Sequence, residues 1–222
     1  AMIGSGGMAR TYAEAIKLVR PIEVMRVFSP TKANREAYAA ETTEKLDIEV
    51  IAVDSPEKAL RGADIVALTT DSLMPVIKAD WLEPGMHINN VRNNEAGPDV
   101  LQRVDVIARL GTSTLFADRS APEVATGSDG MFSYIAGTEQ EKKKIPASPY
   151  HEIDNPNIGT IPDLMAGGWK GRTDDKQITF LNNSGTQGLQ FAAVAGTVYQ
   201  LAKEKRLGHT LPLEWFTQNI RD

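Results

Sequence analysis

Short apolar runs alternate with segments of helical periodicity along the first 110 residues. The run ADIVALTT, at residues 63–70, is almost continuously apolar, which is typical of a buried strand in a parallel sheet. We predict seven strands, at residues 1–3, 23–28, 48–53, 63–70, 86–91, 105–110 and 176–181. Strands that alternate with helices at this pace predict an α/β fold with a doubly wound parallel sheet of the Rossmann type.

The predicted helices connect these strands. In the first helix apolar side chains recur at helical spacing and predict one buried face, formed by Ala9, Tyr12, Ala13, Ile16 and Val19. Further helices are predicted at residues 34–45, with Tyr38 and Ala39 inward, from the N-cap Ser55 with Pro56 in the first turn, at residues 161–165 and at residues 185–204.

The C-terminal half is organised differently. Residues 111–176 are rich in Gly and Pro, and we expect them to be irregular. The last helix is apolar on all sides over residues 191–199, which predicts that it is buried on more than one side. We therefore expect a nucleotide-binding domain at residues 1–182. Residues 183–222 would form a helix and tail that pack on another lobe or a second subunit.

A glycine-rich turn joins the first strand to the first helix. It has the pattern G-x-G-x-x-A and comprises Gly4, Ser5, Gly6, Gly7, Met8 and Ala9. In a dinucleotide fold Gly4 permits the tight turn, Gly6 lets the backbone approach a pyrophosphate, and Ala9 allows close packing of helix on strand. The phosphates would lie on the free N–H groups at the positive end of the helix. We favour this interpretation over a purely structural turn because strand, turn, helix and second strand follow in the required order.

The end of the second strand predicts which cofactor is preferred. No Asp or Glu occurs between Arg26 and Arg35, so no carboxylate would repel a 2′-phosphate. Hydroxyl and basic groups that can bind this phosphate are present at Ser29, Thr31, Lys32 and Arg35. The alternative is an ordinary polar turn with solvated cations. We predict at least about a tenfold preference for NADP(H) over NAD(H), from one or two charge-assisted contacts.

Composition excludes several other classes of protein. The 222 residues carry 24 basic and 29 acidic side chains, a net charge of −5, and no basic stripe, which argues against a nucleic-acid partner. Cysteine is absent and the three histidines are far apart, so no metal site is expected. The longest apolar run is too short to span a bilayer and no targeting segment is recognisable, so we expect a cytoplasmic protein without a membrane partner. The first strand has only three residues, and we expect the chain to be part of a longer protein.

Several stretches together resemble the ornithine cyclodeaminase/mu-crystallin family: IGSGGMA, ADIVALTT, WLEPGMHINNV and GRTDDKQITFLNNSG. The resemblance covers most of residues 1–110 and 171–213. It implies NAD(H)- or NADP(H)-dependent hydride transfer at an amino-acid carbon, in a homodimer acting on an amino acid or a cyclic imine. It also implies that a preceding lobe, not present in this chain, supplies the catalytic Lys and the substrate-binding Arg. This chain alone would then be inactive.

The resemblance further implies where the nicotinamide lies. It would contact the carboxyl ends of the fourth and fifth strands, at Thr69, Thr70 and Asp71 and at Asn89, Asn90 and Val91, and the segment Asn182, Asn183 and Ser184. For Asp71 plain strand capping is an equal alternative. For Asn182, Asn183 and Ser184 the equal alternative is to cap the last helix, and the two roles are compatible.

The family's cyclodeaminases carry an Asp where this chain has Asn94, which cannot take a proton. Glu95 is a second candidate for that role, although a solvated loop glutamate is the simpler interpretation. We expect His87 and His151 to be structural. Imine reduction or amino-acid dehydrogenation is the main hypothesis. The alternatives are ornithine cyclodeamination with loss of ammonia and crystallin-like ligand binding without catalysis.

Overall fold

A computed structural model describes residues 1–72, 74–110, 155–183 and 188–216. The chain folds as two compact units, Ala1–Gly185 and Thr186–Asp222. The described part of the first unit forms a parallel sheet of eight strands, in the order β3-β2-β1-β4-β5-β8-β6-β7. The strands are β1 Met2–Ile3, β2 Val24–Phe28, β3 Glu49–Ala52, β4 Ile65–Leu68, β5 His87–Asn90, β6 Val106–Arg109, β7 Ile158–Thr160 and β8 Thr179–Asn182.

The helices occupy the predicted places, with one addition. They are α1 Gly7–Val19, α2 Lys32–Leu46, α3 Pro56–Leu60, α4 Pro98–Arg103, α5 Ile161–Met165 and, in the second unit, α6 Gly188–Glu204, with 3₁₀ turns at Ala79–Trp81, Asn93–Glu95 and Leu213–Phe216. The predicted cap of α3 is confirmed, since the Ser55 hydroxyl accepts from the Lys58 amide at 3.2 Å. Helix α4 was not predicted. It begins at a Pro, as helices often do.

The doubly wound parallel sheet is thus confirmed, and two apolar layers cover its faces. One layer packs α1 and α2 on alternate strand residues, through Met2, Ala9, Ala13, Val27, Tyr38 and Ala67. The other contains α3 and α4 with the intervening strand residues, including Ile3, Leu60, Val66, Ile88, Val100 and Phe180. Successive strand side chains point to opposite faces, so β1 and β4 contribute to both layers.

One detail of the helix predictions is wrong. Val19 ends α1 and is 66% exposed, because the buried stripe of the helix ends earlier, at Ile16. In the described part of the second unit, apolar side chains of α6 are exposed, with Phe191 68% exposed. Burial of α6 on another lobe or a second subunit stays a prediction.

The irregular region is corrected in part. Residues 111–154 lie outside the described residues, and so does His151. Within the remainder, α5 is confirmed, but the strand β7 was missed. β7 has only three residues, too few for an alternating pattern, and it joins the sheet by pairing with β6.

Candidate functional site

The turn after β1 requires glycine at its first position. Gly4 has φ +111°, a conformation that L side chains rarely adopt. A Cβ atom at Gly4 would lie 2.6 Å from the Thr69 carbonyl oxygen. The Gly4 amide donates to the Phe28 carbonyl at 2.8 Å, so the turn is fixed between β2 and β4. The geometry therefore agrees with the tight turn predicted for Gly4.

Gly6 and Gly7 differ from Gly4 in that they face open space. Gly6 has extended backbone angles that any residue can adopt, and α1 begins at the next residue. No atom of the described residues lies within 4 Å of a Cβ built at Gly6 or Gly7. Ala9 is fully buried against the sheet. The first turn of α1 thus presents backbone N–H groups to a space that a side chain at Gly6 would enter, and such groups could hold a pyrophosphate.

The end of β2 lies beside this turn. The Ser5 hydroxyl donates to the Ser29 hydroxyl at 2.9 Å, which joins the glycine turn to the residue after β2. Arg35 donates from Nη1 to the Ser29 carbonyl at 3.0 Å and to the Pro30 carbonyl at 3.3 Å, so it shapes the loop. The Lys32 side chain is 74% exposed, with its Nζ atom 3.7 Å from the Glu36 carboxylate. Of the two cationic side chains, Lys32 is therefore the more solvent-exposed and the more accessible to a ligand.

Arg10 also supports the glycine turn, and the sequence reasoning missed it. Its Nη1 donates to the Ser5 carbonyl at 2.9 Å, while its Nε and Nη2 bind the Glu41 carboxylate at 2.7–3.0 Å. The signal was its position, directly after the G-x-G-x-x-A pattern, where a long side chain can reach back to the turn.

The carboxyl ends of β4 and β5 are joined through polar groups. Thr69 is buried, and both its amide and its hydroxyl donate to the Ile3 carbonyl, at 2.8 and 3.0 Å. The Val91 amide donates to the Leu68 carbonyl at 3.1 Å. The sheet order reverses between β1 and β4, so Thr69 lies at the reversal and β5 one strand further.

The end of β8 completes this edge. The Asn90 side chain is buried, with Nδ2 donating to the Arg92 carbonyl at 2.7 Å and Oδ1 accepting from the Asn183 amide at 3.0 Å. The Asn183 side-chain amide in turn donates to the Tyr12 hydroxyl on α1. The structure therefore brings Asn90 and Asn183 together. Ser184 lies outside the described residues.

The environment of Glu95 differs from the expectation, because Glu95 is not a solvated loop residue. It is 0% exposed. Its Oε1 accepts from the Thr70 amide at 2.6 Å and from the Thr70 hydroxyl at 2.8 Å. Its Oε2 accepts from the amides of Val91 and Arg92, at 2.9 and 2.8 Å. One carboxylate thus holds the backbone beyond both β4 and β5.

The neighbouring candidates are held in different ways. Asn94 is also buried, and its side-chain amide donates to the Ser72 carbonyl at 2.9 Å. Asp71 is exposed. Asn89 lies in register with Ala67, and its Oδ1 is buried without a hydrogen-bond partner within the described part of the chain. Within the described part of the chain, neither Asn94 nor Asp71 forms a hydrogen bond with an acidic or basic side chain.

His87 lies at the opposite edge of the sheet, as the first residue of β5. Its Nδ1 is 2.7 Å from the Thr179 hydroxyl, and Arg172 donates to the same hydroxyl at 3.2 Å. Burial, and then the charge of Arg172, lower the pKa of His87 to about 4. A neutral histidine that ties β5 to β8 agrees with the structural role expected for it.

The described residues contain no group of three or more His, Asp or Glu side chains placed to hold a metal ion. No helix among them is both long and apolar enough to cross a membrane.

The parallel sheet, the glycine turn at the start of α1 and the polar strand ends at one edge define a dinucleotide-binding protein of the Rossmann type. Residues 1–206 match the ornithine cyclodeaminase/mu-crystallin family, and the chain belongs to this family.

Individual relatives agree with this assignment. A protein of Rhizobium meliloti (strain 1021) that carries the provisional name of a dehydrogenase is 32% identical over 95% of this chain and 58% of its own length. The structure of Thermococcus litoralis Δ1-pyrroline-2-carboxylate reductase in complex with NADH and L-proline is 25% identical, with TM-score 0.68 over 95% of this chain and 59% of its own. The Δ1-pyrroline-2-carboxylate reductase of Bacillus cereus (strain ATCC 14579) is 24% identical over 95% of this chain and 59% of its length. The chain thus spans less than two thirds of the length of each relative.

Proposed function

We propose that this chain is the dinucleotide-binding part of an NAD(P)H-dependent oxidoreductase that interconverts an imine and an amino acid. The observation that carries the proposal is the open cradle at Gly6 and Gly7, at the N-terminus of α1, beside a turn that only glycine fits at Gly4. The similarity to a reductase whose structure contains NADH and L-proline supports both the cofactor and the class of substrate.

The residues have separate tasks in this proposal. The backbone N–H groups of Gly6, Gly7 and Met8 bind the pyrophosphate. Thr69, Thr70, Asn90, Val91 and Asn183 lie at the strand ends and would hold the nicotinamide and its ribose. The bound nicotinamide would supply or accept the hydride at the carbon that bears nitrogen. This chain's contribution is therefore to bind and orient the cofactor.

In this proposal neither Asn94 nor Glu95 transfers the proton. Asn94 has an amide, which cannot take a proton, and both oxygens of the Glu95 carboxylate accept hydrogen bonds from the protein itself. We propose that the catalytic acid and the group that binds the substrate carboxylate lie outside the described residues, and that the 222-residue chain alone has no turnover. The same arrangement disfavours a cyclodeaminase that depends on a carboxylate at the position of Asn94.

We further propose that NADP(H) is preferred. Ser29 and Thr31 carry hydroxyl groups at the end of β2, and Lys32 is the exposed cation beside them. Arg35 keeps this loop in shape through two carbonyl oxygens. Because no carboxylate lies between Arg26 and Arg35, a 2′-phosphate meets no repulsion from this segment.

The full-length protein is expected to be a homodimer, and the exposed apolar side chains of α6 support this part of the proposal. Light scattering of the full-length protein would give twice the mass of one chain. The mass of one chain would contradict the dimer.

The test of the activity uses the full-length protein with NADPH or NADH and Δ1-pyrroline-2-carboxylate. We expect oxidation of the cofactor that depends on the imine. Release of ammonia from ornithine without net oxidation of the cofactor would indicate a cyclodeaminase instead. Cofactor binding without turnover on any imino acid or amino acid would indicate a binding protein.

A further inference from the structure

Glu95 is a buried carboxylate for which the described part of the chain offers no cationic partner. Among the described residues, none of the ion pairs includes Glu95. A buried charge is costly unless hydrogen bonds replace its lost hydration. Here the replacement comes from three backbone amides and one hydroxyl, all within 2.6–2.9 Å.

The positions of these donors indicate the structural role of the Glu95 carboxylate. Thr70 follows β4, and Val91 and Arg92 follow β5, so the donors belong to the two segments where adjacent parallel strands leave the sheet. Backbone amides just beyond a strand leave the regular ladder, so those of Thr70 and Arg92 need another acceptor, whereas the Val91 amide is shared between Glu95 and the Leu68 carbonyl. Glu95 supplies acceptors for both segments at once, because its own backbone is fixed nearby through the Val76 amide, which donates to the Glu95 carbonyl at 2.9 Å.

A role as an acid or base at the substrate does not fit this geometry. Each oxygen of Glu95 already accepts from two groups of the protein, and the residue has no exposed surface. A proton on either oxygen would displace one of these hydrogen bonds.

We propose that Glu95 is a positioning residue for the nicotinamide end of the cofactor site. Its carboxylate fixes the backbone beyond β4 and β5, so that the segments at Thr70 and Val91 hold one conformation against the nicotinamide and its ribose. The adenine and pyrophosphate end depends on the glycine turn and β2, whereas the hydrogen bonds of the Glu95 side chain among the described residues go to Thr70, Val91 and Arg92. This inference rests on the proposed function, since it assumes that a dinucleotide binds across this edge.

The test compares two ligands on the full-length protein by calorimetry. NADPH carries the nicotinamide, and 2′-phospho-ADP-ribose lacks it but keeps every other group. We expect the wild-type protein to bind NADPH more tightly. In Glu95→Gln an amide N–H₂ replaces one carboxylate oxygen and cannot accept the hydrogen bond of the backbone N–H that it faces. We therefore expect the affinity for NADPH to fall about tenfold or more. The affinity for 2′-phospho-ADP-ribose should stay within about twofold.

Two controls make this result specific. Glu44→Gln is the same chemical change at an exposed position of α2 and should leave both affinities unchanged. Unchanged binding of 2′-phospho-ADP-ribose by Glu95→Gln itself shows that the variant is folded. If that variant does not fold, Glu95→Asp, which keeps the charge but shortens its reach, is measured in the same way and should show the same selective loss.

The remaining outcomes separate the two proposals. If the wild-type protein binds neither ligand nor the corresponding NADH pair, the proposed function fails. If the wild type binds both ligands equally, or if the Glu95 variants lower both affinities together or neither, the positioning role is wrong. Loss of turnover in Glu95→Gln with normal binding of both ligands would point to acid–base chemistry and also overturn it.

Discussion

The two edges of the sheet carry similar polar residues but use them in different ways. At the amino ends of β5 and β8, His87 and Arg172 both hydrogen-bond to the Thr179 hydroxyl, and the partly buried His87 is neutral. At the carboxyl ends, Glu95 and Asn90 hold the backbone in place while the glycine turn faces open space. The comparison teaches that residue type alone does not mark the site. A histidine at the amino edge ties two strands together, whereas an amide or a glycine at the carboxyl edge shapes the proposed binding surface.

The largest effect is expected at the carboxyl edge for Gly4→Ala. The new Cβ would lie 2.6 Å from the Thr69 carbonyl oxygen at a φ of +111°, so the free energy of unfolding should fall by about 3 kcal/mol or more. Urea unfolding of the 222-residue chain measures the change. Gly62→Ala is the matched control, because Gly62 also has a positive φ but its nearest neighbour lies 3.9 Å away. That variant should lose only about 1 kcal/mol, and an equal loss in both would mean that the contact with Thr69 is unimportant.

The second prediction concerns pH at the amino edge. The pKa of His87 is lowered to about 4 in the folded protein, from an ordinary value of 6.5. Between these values the unfolded chain binds a proton that the folded chain does not. Stability from this group is therefore complete above about pH 6.5 and is lost as the pH falls towards 4, by up to about 3 kcal/mol.

Unfolding curves between pH 7 and pH 4 would show this loss, and His87→Asn should reduce the slope. His209→Asn is the control, because His209 is exposed. A slope that does not change in His87→Asn would rule out His87 as its source.

Gly6→Val should separate binding from folding. Its backbone angles suit valine, and its Cβ meets no atom of the described residues, so the melting temperature should hardly change. The valine side chain would enter the space proposed for the pyrophosphate, and affinity for NADPH and NADH should fall at least about tenfold, as for the loss of one charge-assisted contact. Calorimetry gives the affinities. Normal binding by Gly6→Val would show that the phosphates do not lie on this turn.

The smallest effect is expected for Lys32→Ala, since an exposed cation is partly screened by solvent. Affinity for NADPH should fall about threefold to tenfold, with NADH unaffected. Lys45→Ala, on the same helix but paired with Glu14, is the control and should change neither affinity. Arg35→Ala should weaken both cofactors, because it releases the loop carbonyls of Ser29 and Pro30. Equal weakening of NADPH and NADH in Lys32→Ala would contradict its assignment to the 2′-phosphate.

The sequence predicted the local features of the fold well. The order of strand, turn and helix around Gly4, the cap at Ser55 and the helix α5 all depend on neighbouring residues, and the pattern of those residues contains the information. It did not predict that β8 lies between β5 and β6, because no local pattern encodes pairing across 92 residues, from His87 to Thr179.

The site shows the same limit. The segment from Asn93 to Glu95 is polar in sequence, and a polar run between a strand and a helix normally predicts a solvated loop. Glu95 is instead buried because amides from two strands converge on it, which depends on the assembled sheet. The role of Arg10 was missed for a related reason, since its contact with Ser5 requires the helix to be formed first.

The position of β8 also sets the order in which the sheet can assemble. β6 has no neighbour in the described sheet other than β7 and β8, and both follow it in the chain. During synthesis, β1 to β5 can pair as soon as residue 90 has emerged. β6 can pair with β7 only after residue 160, and it joins the first five strands only after β8, at residue 182. Closing so long a loop is entropically costly and slows folding. We expect the first five strands to gain protection from hydrogen exchange before β6, β7 and β8, which should become protected together.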